Sequence, residues 1–154
     1  NAICPTGDIV LSETFDGTTI PTGWVVEDGS TDGETWYNAG GYMMADSDAA
    51  GSGVHLVEGL ITPAIDLSGY STVLLSFELD YNCLTSDRLY VQVSTDGTAY
   101  TTVKTYSADF YGLESLDISA DAAGQSTVYV RFLYDDFSTW AWEVVLDNVI
   151  VEGM

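Results

Sequence analysis

The sequence predicts an all-β fold, an antiparallel two-sheet β-sandwich of jelly-roll type, from three features. Apolar and polar residues alternate with a period of two in several separate segments. Clusters of Asp, Gly, Ser and Thr, whose side chains favour turns, fall between those segments. No segment holds an apolar stripe at helical spacing, so a parallel βαβ sheet is excluded and two facing antiparallel layers must bury the apolar sides.

The strands follow in order. Short ones are expected at Ile9 to Phe15, Trp24 to Glu27, Trp36 to Asn38 and Gly59 to Thr62. The pattern is clearest from Val73 to Tyr81, where Val73, Leu75, Phe77, Leu79 and Tyr81 share one face and Ser76, Glu78 and Asp80 the other. Leu89 to Val93 repeats it and runs into Ser94-Thr95-Asp96-Gly97, a turn signal. Thr101 to Thr105 and Glu114 to Ile118 are short candidates, and Ala120 to Gly124 suits one helical turn. Val128 to Phe132 and Val144 to Val151 complete the set as long strands. Neither a linker nor an internal repeat interrupts the chain, so residues 1–154 read as one module.

Composition narrows the function. Hydrophobic residues make up 46% of the 154 residues, too many for a disordered acidic tail. The net charge of −21 comes from 24 acidic residues against Arg88, Lys104 and Arg131. Nucleic acid needs a basic track, and anionic membranes a basic patch; neither exists here. The repulsion also favours a monomer, and can be relieved by external salt or by Ca²⁺, which takes carboxylate and carbonyl oxygens. Both remedies point outside the cell, and no stretch is long enough to insert into a membrane. Starting at Asn1 without a leader, the sequence reads as a piece excised from a larger extracellular protein. Cys4 and Cys83 form no CxxC motif; they either pair, closing a loop worth about 4 kcal/mol, or stay as thiols.

Glu13-Thr14-Phe15-Asp16 followed by Ile20-Pro21-Thr22-Gly23-Trp24 resembles the opening of cleaved-adhesin domains. These are the haemagglutinin/adhesin modules of secreted bacterial proteases such as the gingipains, related to choice-of-anchor and MAM-like jelly rolls. Asp28-Gly29-Ser30-Thr31-Asp32-Gly33 before Trp36, Ala45-Asp46-Ser47-Asp48, Leu60-Ile61-Thr62-Pro63 and Leu146-Asp147-Asn148-Val149 continue the resemblance in order. It implies a jelly-roll sandwich, an extracellular setting, bound calcium and attachment to a larger protein. Ser30 departs from the fuller acidic run of gingipain modules. By this resemblance the first strand, with Glu13 and Asp16, shares a metal site with Asp147.

Further calcium ligands are expected at Asp46 and Asp48, which alternate around Ser47, and at Asp28 and Asp32 as a second site. Alternation puts Asp147 on the side of Val145, Val149 and Val151, where a carboxylate needs a metal or backbone N–H donors. Ligand contacts fall into two groups. The outward faces of the central strands carry Glu78, Asp80, Tyr90, Gln92, Tyr129 and Arg131, a mixture that suits a glycan or else a plain solvated face. Loops around Asn82, Leu84, Arg88, Tyr111, Asp135, Phe137 and Trp140 either present aromatics to a partner or fold them over the sandwich ends. His55 is the single histidine, with neither a nucleophile elbow nor a zinc-hydrolase motif beside it, and reads as a polar surface residue.

These readings converge on a non-catalytic, calcium-stabilised extracellular module that binds a polysaccharide or a cell-surface glycan or protein. The alternatives are an accessory domain that packs on its parent protein, and a glycan-active enzyme built on two carboxylates.

Overall fold

The computed structural model describes residues 7–154. Cys4 lies outside the described residues, and with it the pairing with Cys83. The strands run β1 (Asp8–Glu13), β2 (Val25–Asp28), β3 (Tyr37–Asn38), β4 (Met43–Asp46), β5 (Val57–Ile61), β6 (Val73–Tyr81), β7 (Arg88–Ser94), β8 (Thr101–Tyr106), β9 (Phe110–Asp117), β10 (Tyr129–Asp135) and β11 (Glu143–Gly153). Two single-turn helices, α1 (Ser47–Ala50) and α2 (Ser119–Ala122), interrupt them. All described pairings are antiparallel. They form sheet A, in the order β3-β4-β11-β6-β9 with β1 also on β11, and sheet B, in the order β2-β5-β10-β7-β8.

The two sheets meet through alternate side chains. In β6 every second residue from Val73 to Tyr81 is buried, and in β10 Val130, Phe132 and Tyr134 point inward. Phe77 of sheet A meets Phe132 of sheet B edge to face at 5.2 Å, joining the layers at their centre. Trp36, buried like Phe77, donates its indole N–H to the Glu58 carbonyl at 2.8 Å. Each such side chain contributes about 2 kcal/mol through lost water contact, and together they hold the sheets face to face.

Several elements differ from the sequence reading. Met43 to Asp46 is a strand, although it lacks the β-branched residues that mark one. Asp46 and Asp48 do not frame a tight loop around Ser47; Asp46 caps α1, accepting the Ala49 N–H at 2.9 Å, and Asp48 lies within that helix. Tyr111 stands within edge strand β9, not in a loop, and Asp135 is the last residue of β10.

The largest correction concerns β11. Pairing with β6 slips between Asp147 and Ile150, and Asn148 takes a φ of 50°. This bulge inserts one residue, so the inward side switches from Val144 and Leu146 before it to Val149 and Val151 after it. Asp147 therefore faces outward with Val145, away from Val149 and Val151.

Candidate functional site

Register fixes which side chains share the outer face of sheet A. Tyr111 pairs with Asp80, Asp80 with Val145, Val145 with Met44 and Met44 with Tyr37, making one row across five strands. A second row sets Leu113, Glu78 and Asp147 side by side, and Glu143 opposite Asp46 begins a third. The first two rows enclose a groove of about 310 Å³ lined by Tyr42, Glu78, Asp80, Tyr111, Leu113, Val145 and Asp147. Tyr111 is 86% and Leu113 66% exposed, so both offer apolar surface that nothing in the fold covers.

Electrostatics in this groove are one-sided. Glu78 and Asp147 are opposed like charges, as are Glu143 and Asp46, an unfavourable arrangement in an antiparallel pair. Partial burial pushes the Asp147 carboxyl above the usual range; the Asn148 N–H pulls it back, while Glu78 and Asp16 push it further up. Glu143 is likewise raised, by burial first and then by Asp46 and Asp80, against the Asn82 amide. Asn148 donates to Glu78 at 2.8 Å and Asn82 to Glu143 at 3.0 Å, so amides soften the repulsion. Arg88, Lys104 and Arg131 all belong to strands of sheet B.

The proposed single binding face is thus divided. Glu78 and Asp80 lie on the outside of sheet A, whereas Tyr90, Gln92, Tyr129 and Arg131 lie on strands of sheet B, and Arg88, expected in a loop, opens β7 of that sheet. Sheet membership depends on pairing between distant segments, which alternation within a strand does not reveal. Arg131 is also engaged internally. It donates to Gln92 at 2.8 Å and to Glu27 at 3.1 Å, and its guanidinium lies 3.8 Å from the Tyr100 ring centre. Gly59 makes room for this crossing, since a Cβ there would stand 2.7 Å from the Glu27 carboxylate. Tyr129 and Tyr100 line a second depression of about 380 Å³ with Val25 and Pro63.

A carboxylate cluster closes one end of sheet B. Asp28 pairs in register with Glu58, and the Asp28, Asp32 and Glu58 carboxylates each place an oxygen within 4.8 Å of the others. Asp28 shapes the loop by accepting the Asp32 and Gly33 N–H groups at 3.1 and 2.8 Å. Glu58 is fully buried; its Oε1 accepts from Ser30 and from the Val57 N–H, but its Oε2 has no partner. Burial pushes its carboxyl up to about 7, with Asp28 and Asp32 adding to the rise against the Val57 and Ser30 hydrogen bonds. A buried carboxylate with one oxygen lacking a partner, close to two further carboxylates, fits a hard divalent cation, which supplies the missing charge partner. Sequence reasoning found Asp28 and Asp32 but missed Glu58. The available signal was its parity with the core residue Leu60.

The remaining candidates are placed differently. Glu13 accepts the Phe15 N–H at 2.8 Å and Asp16 the Thr14 hydroxyl at 2.9 Å. Among the described residues neither joins Asp147 in a cluster of three possible ligands, nor do Asp46 and Asp48. His55, Asp135 and Asp136 form a second cluster, which has no buried oxygen without a partner like that of Glu58. Asp136 accepts from Leu56 N, Ser138 N and Ser47 Oγ, while Asp135 Oδ1 accepts the Phe137 N–H and lies 2.9 Å from His55 Nε2. This clasp holds a loop in which Phe137, Ser138 and Trp140 all have positive φ, and leaves Phe137, Trp140 and Trp142 about half exposed. Leu84 is similarly exposed beside Asp87, a buried carboxylate that accepts the Leu84 N–H at 2.9 Å. Arg88 donates to the Asp87 carbonyl at 2.7 Å.

The two antiparallel sheets define a jelly-roll sandwich architecture, and solved structures share it. The K1 cleaved adhesin domain of Lys-gingipain from Porphyromonas gingivalis superposes with a TM-score of 0.68 at 22% identity, covering 94% of this chain and 98% of that one. The K3 cleaved adhesin domain of the same protein gives 0.72 at 19% identity with the same coverage. The CBM22-1 xylan-binding domain from Paenibacillus barcinonensis gives 0.56 at 15% identity, covering 98% and 97%. No family model matches the chain, and no curated protein matches it by sequence. The fold is that of the gingipain cleaved-adhesin domains, as the motifs from Glu13 to Val149 imply. Among the described residues no helix is long and apolar enough to cross a membrane.

Proposed function

We propose that this chain is a non-catalytic extracellular module that binds a polysaccharide or cell-surface glycan along the outer face of sheet A. The observation that carries this reading is the groove itself: exposed Tyr111 and Leu113 beside Glu78, Asp80 and Asp147. An aromatic face stacks on sugar C–H groups, and carboxylates accept from sugar hydroxyls, so the pairing suits a glycan better than an apolar ligand. Structural neighbours that are adhesin and xylan-binding domains support the same class. The isolated module would be monomeric and carried by a larger secreted or surface protein.

Calcium has a structural role in this reading. Asp28, Asp32 and Glu58 would hold the ion, and the Glu58 oxygen without a partner supports that choice over the open acids elsewhere. The ion would tie the loop after β2 to β5 without touching the groove.

A glycan array run with and without EDTA tests both parts. Retention on a polysaccharide that Tyr111→Ala removes supports the groove, and silence across the array overturns it. The melting temperature should fall in EDTA and recover with added calcium, whereas identical melts remove the metal. The accessory-domain reading draws on the half-exposed Phe137, Trp140 and Trp142, which could pack on a parent chain. It gains ground if the array is silent and the parent protein protects those tryptophans from quenching.

A further inference from the structure

We infer that the groove on sheet A selects glycans bearing free amino groups, taking an ammonium-carrying sugar in preference to its neutral or anionic counterpart. This rests on the groove being the glycan site and names the chemical class it takes. The reason is charge complementarity. Glu78 and Asp80 share one face of β6, Asp147 stands directly across from Glu78, and the Glu143–Asp46 pair adjoins them. All three lysines and arginines of the chain sit in β7, β8 and β10, on the other sheet. No lysine or arginine shares the face with these five carboxylates. Opposed like charges are unfavourable while the groove is open, and a bound ammonium group relieves them. A uronate or sulfated sugar would add to the repulsion.

The same geometry favours a glycan over a basic peptide. Backbone N–H and C=O groups on the face of a sheet are already used in its ladders, so a peptide main chain finds no partners there. A sugar needs only side-chain acceptors and a ring to stack on, and Tyr111 and Tyr42 flank the carboxylates. Carboxylates two residues apart on one strand lie roughly 7 Å from each other, giving spaced rather than single anchors for a chain of charged rings.

The test compares glucosamine hexaose, its fully N-acetylated form, an oligogalacturonate and a lysine hexapeptide by titration calorimetry at pH 6. Glucosamine hexaose should bind at least tenfold tighter than the acetylated form, and the advantage should shrink several-fold in 0.5 M salt, the amplitudes being set by screening on the order of a 5 Å Debye length. Glu78→Gln and Asp80→Asn should each reduce that preference about threefold, because each weakens glucosamine hexaose more than the acetylated form. Equal or tighter binding of the acetylated form overturns the inference, as does equally tight binding of the lysine peptide. If a neutral glycan binds and Tyr111→Ala abolishes it, while the amine confers no advantage, the groove stands and only its charge selectivity falls. If no glycan binds, both fall. Unchanged melting temperatures for the two variants would exclude misfolding as the cause of any loss.

Discussion

The outer faces of the two sheets both carry carboxylates and tyrosines, and they use them in opposite ways. On sheet B, Arg131 is fixed by Gln92, Glu27 and the Tyr100 ring, so the cation and its neighbours satisfy one another. On sheet A, Glu78 faces Asp147 and Glu143 faces Asp46 with only amides to moderate them, and the nearby Tyr111 ring is almost fully open. Polar groups that have found partners within the fold stabilise it; those left unmatched stay available to a ligand. The inner end of sheet B adds a third situation. Glu58 is unmatched like the acids of sheet A, but it is buried, so only an ion small enough to enter the cluster can answer it.

That contrast can be tested by removing one element at a time. The largest effect should come from Glu58. Its carboxyl is raised from 4.5 to about 7, so the metal-free folded state holds that proton more tightly than the unfolded chain. Stability is then fully present below about 4.5 and lost as pH rises to about 7, by on the order of 3 kcal/mol. Urea denaturation in EDTA across this range should show the decline, calcium should reverse it, and Glu58→Gln should flatten it. Asp147→Asn should leave the calcium response intact; its loss would place the ion on sheet A instead.

Tyr111→Ala should weaken glycan retention by about 2 kcal/mol in affinity electrophoresis, as expected for an exposed aromatic anchor. Tyr129→Ala on sheet B should change it by less than twofold, roughly the scatter of independent sites. Equal losses from the two would erase the distinction between the faces. Arg131→Ala should cost about 1–2 kcal/mol of stability in chemical denaturation, because Glu27, Gln92 and Tyr100 lose a shared partner, while glycan binding persists. The smallest change is expected from Glu78→Gln. Relieving the charge opposite Asp147 should raise stability by a few tenths of a kcal/mol at pH 7. Burial and neighbouring acids raise the Asp147 carboxyl, so this gain should vanish on acidification, once Asp147 itself is protonated. A gain that persists at pH 3 would mean that charge repulsion is not its source.

How much was legible varies by residue. Val73 to Tyr81 alternates except at Leu74, and the strand has those bounds. The turn at Ser94 to Gly97 is equally local: Asp96 accepts the Thr98 and Ala99 N–H groups at 2.8 and 2.9 Å. Met43 to Asp46 was hidden because methionine and alanine give little strand signal, and its pairing with β11 supplies what propensity lacks. Asp147 was assigned to the wrong side because a bulge shifts parity without changing composition. Glu58 was overlooked because a glutamate in a strand ordinarily faces solvent. Asp28 and Asp32, by contrast, stood out within one short loop.

Alternating side chains, turn clusters and a large acid excess by themselves determined a two-layered antiparallel sandwich with an anionic surface, since each depends only on neighbours along the chain. Tertiary structure decided which strands share a sheet, where β11 changes face, and which carboxylates meet. Those outcomes come from pairing between segments far apart in sequence, as with Asp28 and Glu58 or Glu78 and Asp147, and a period-two pattern carries no record of its distant partner.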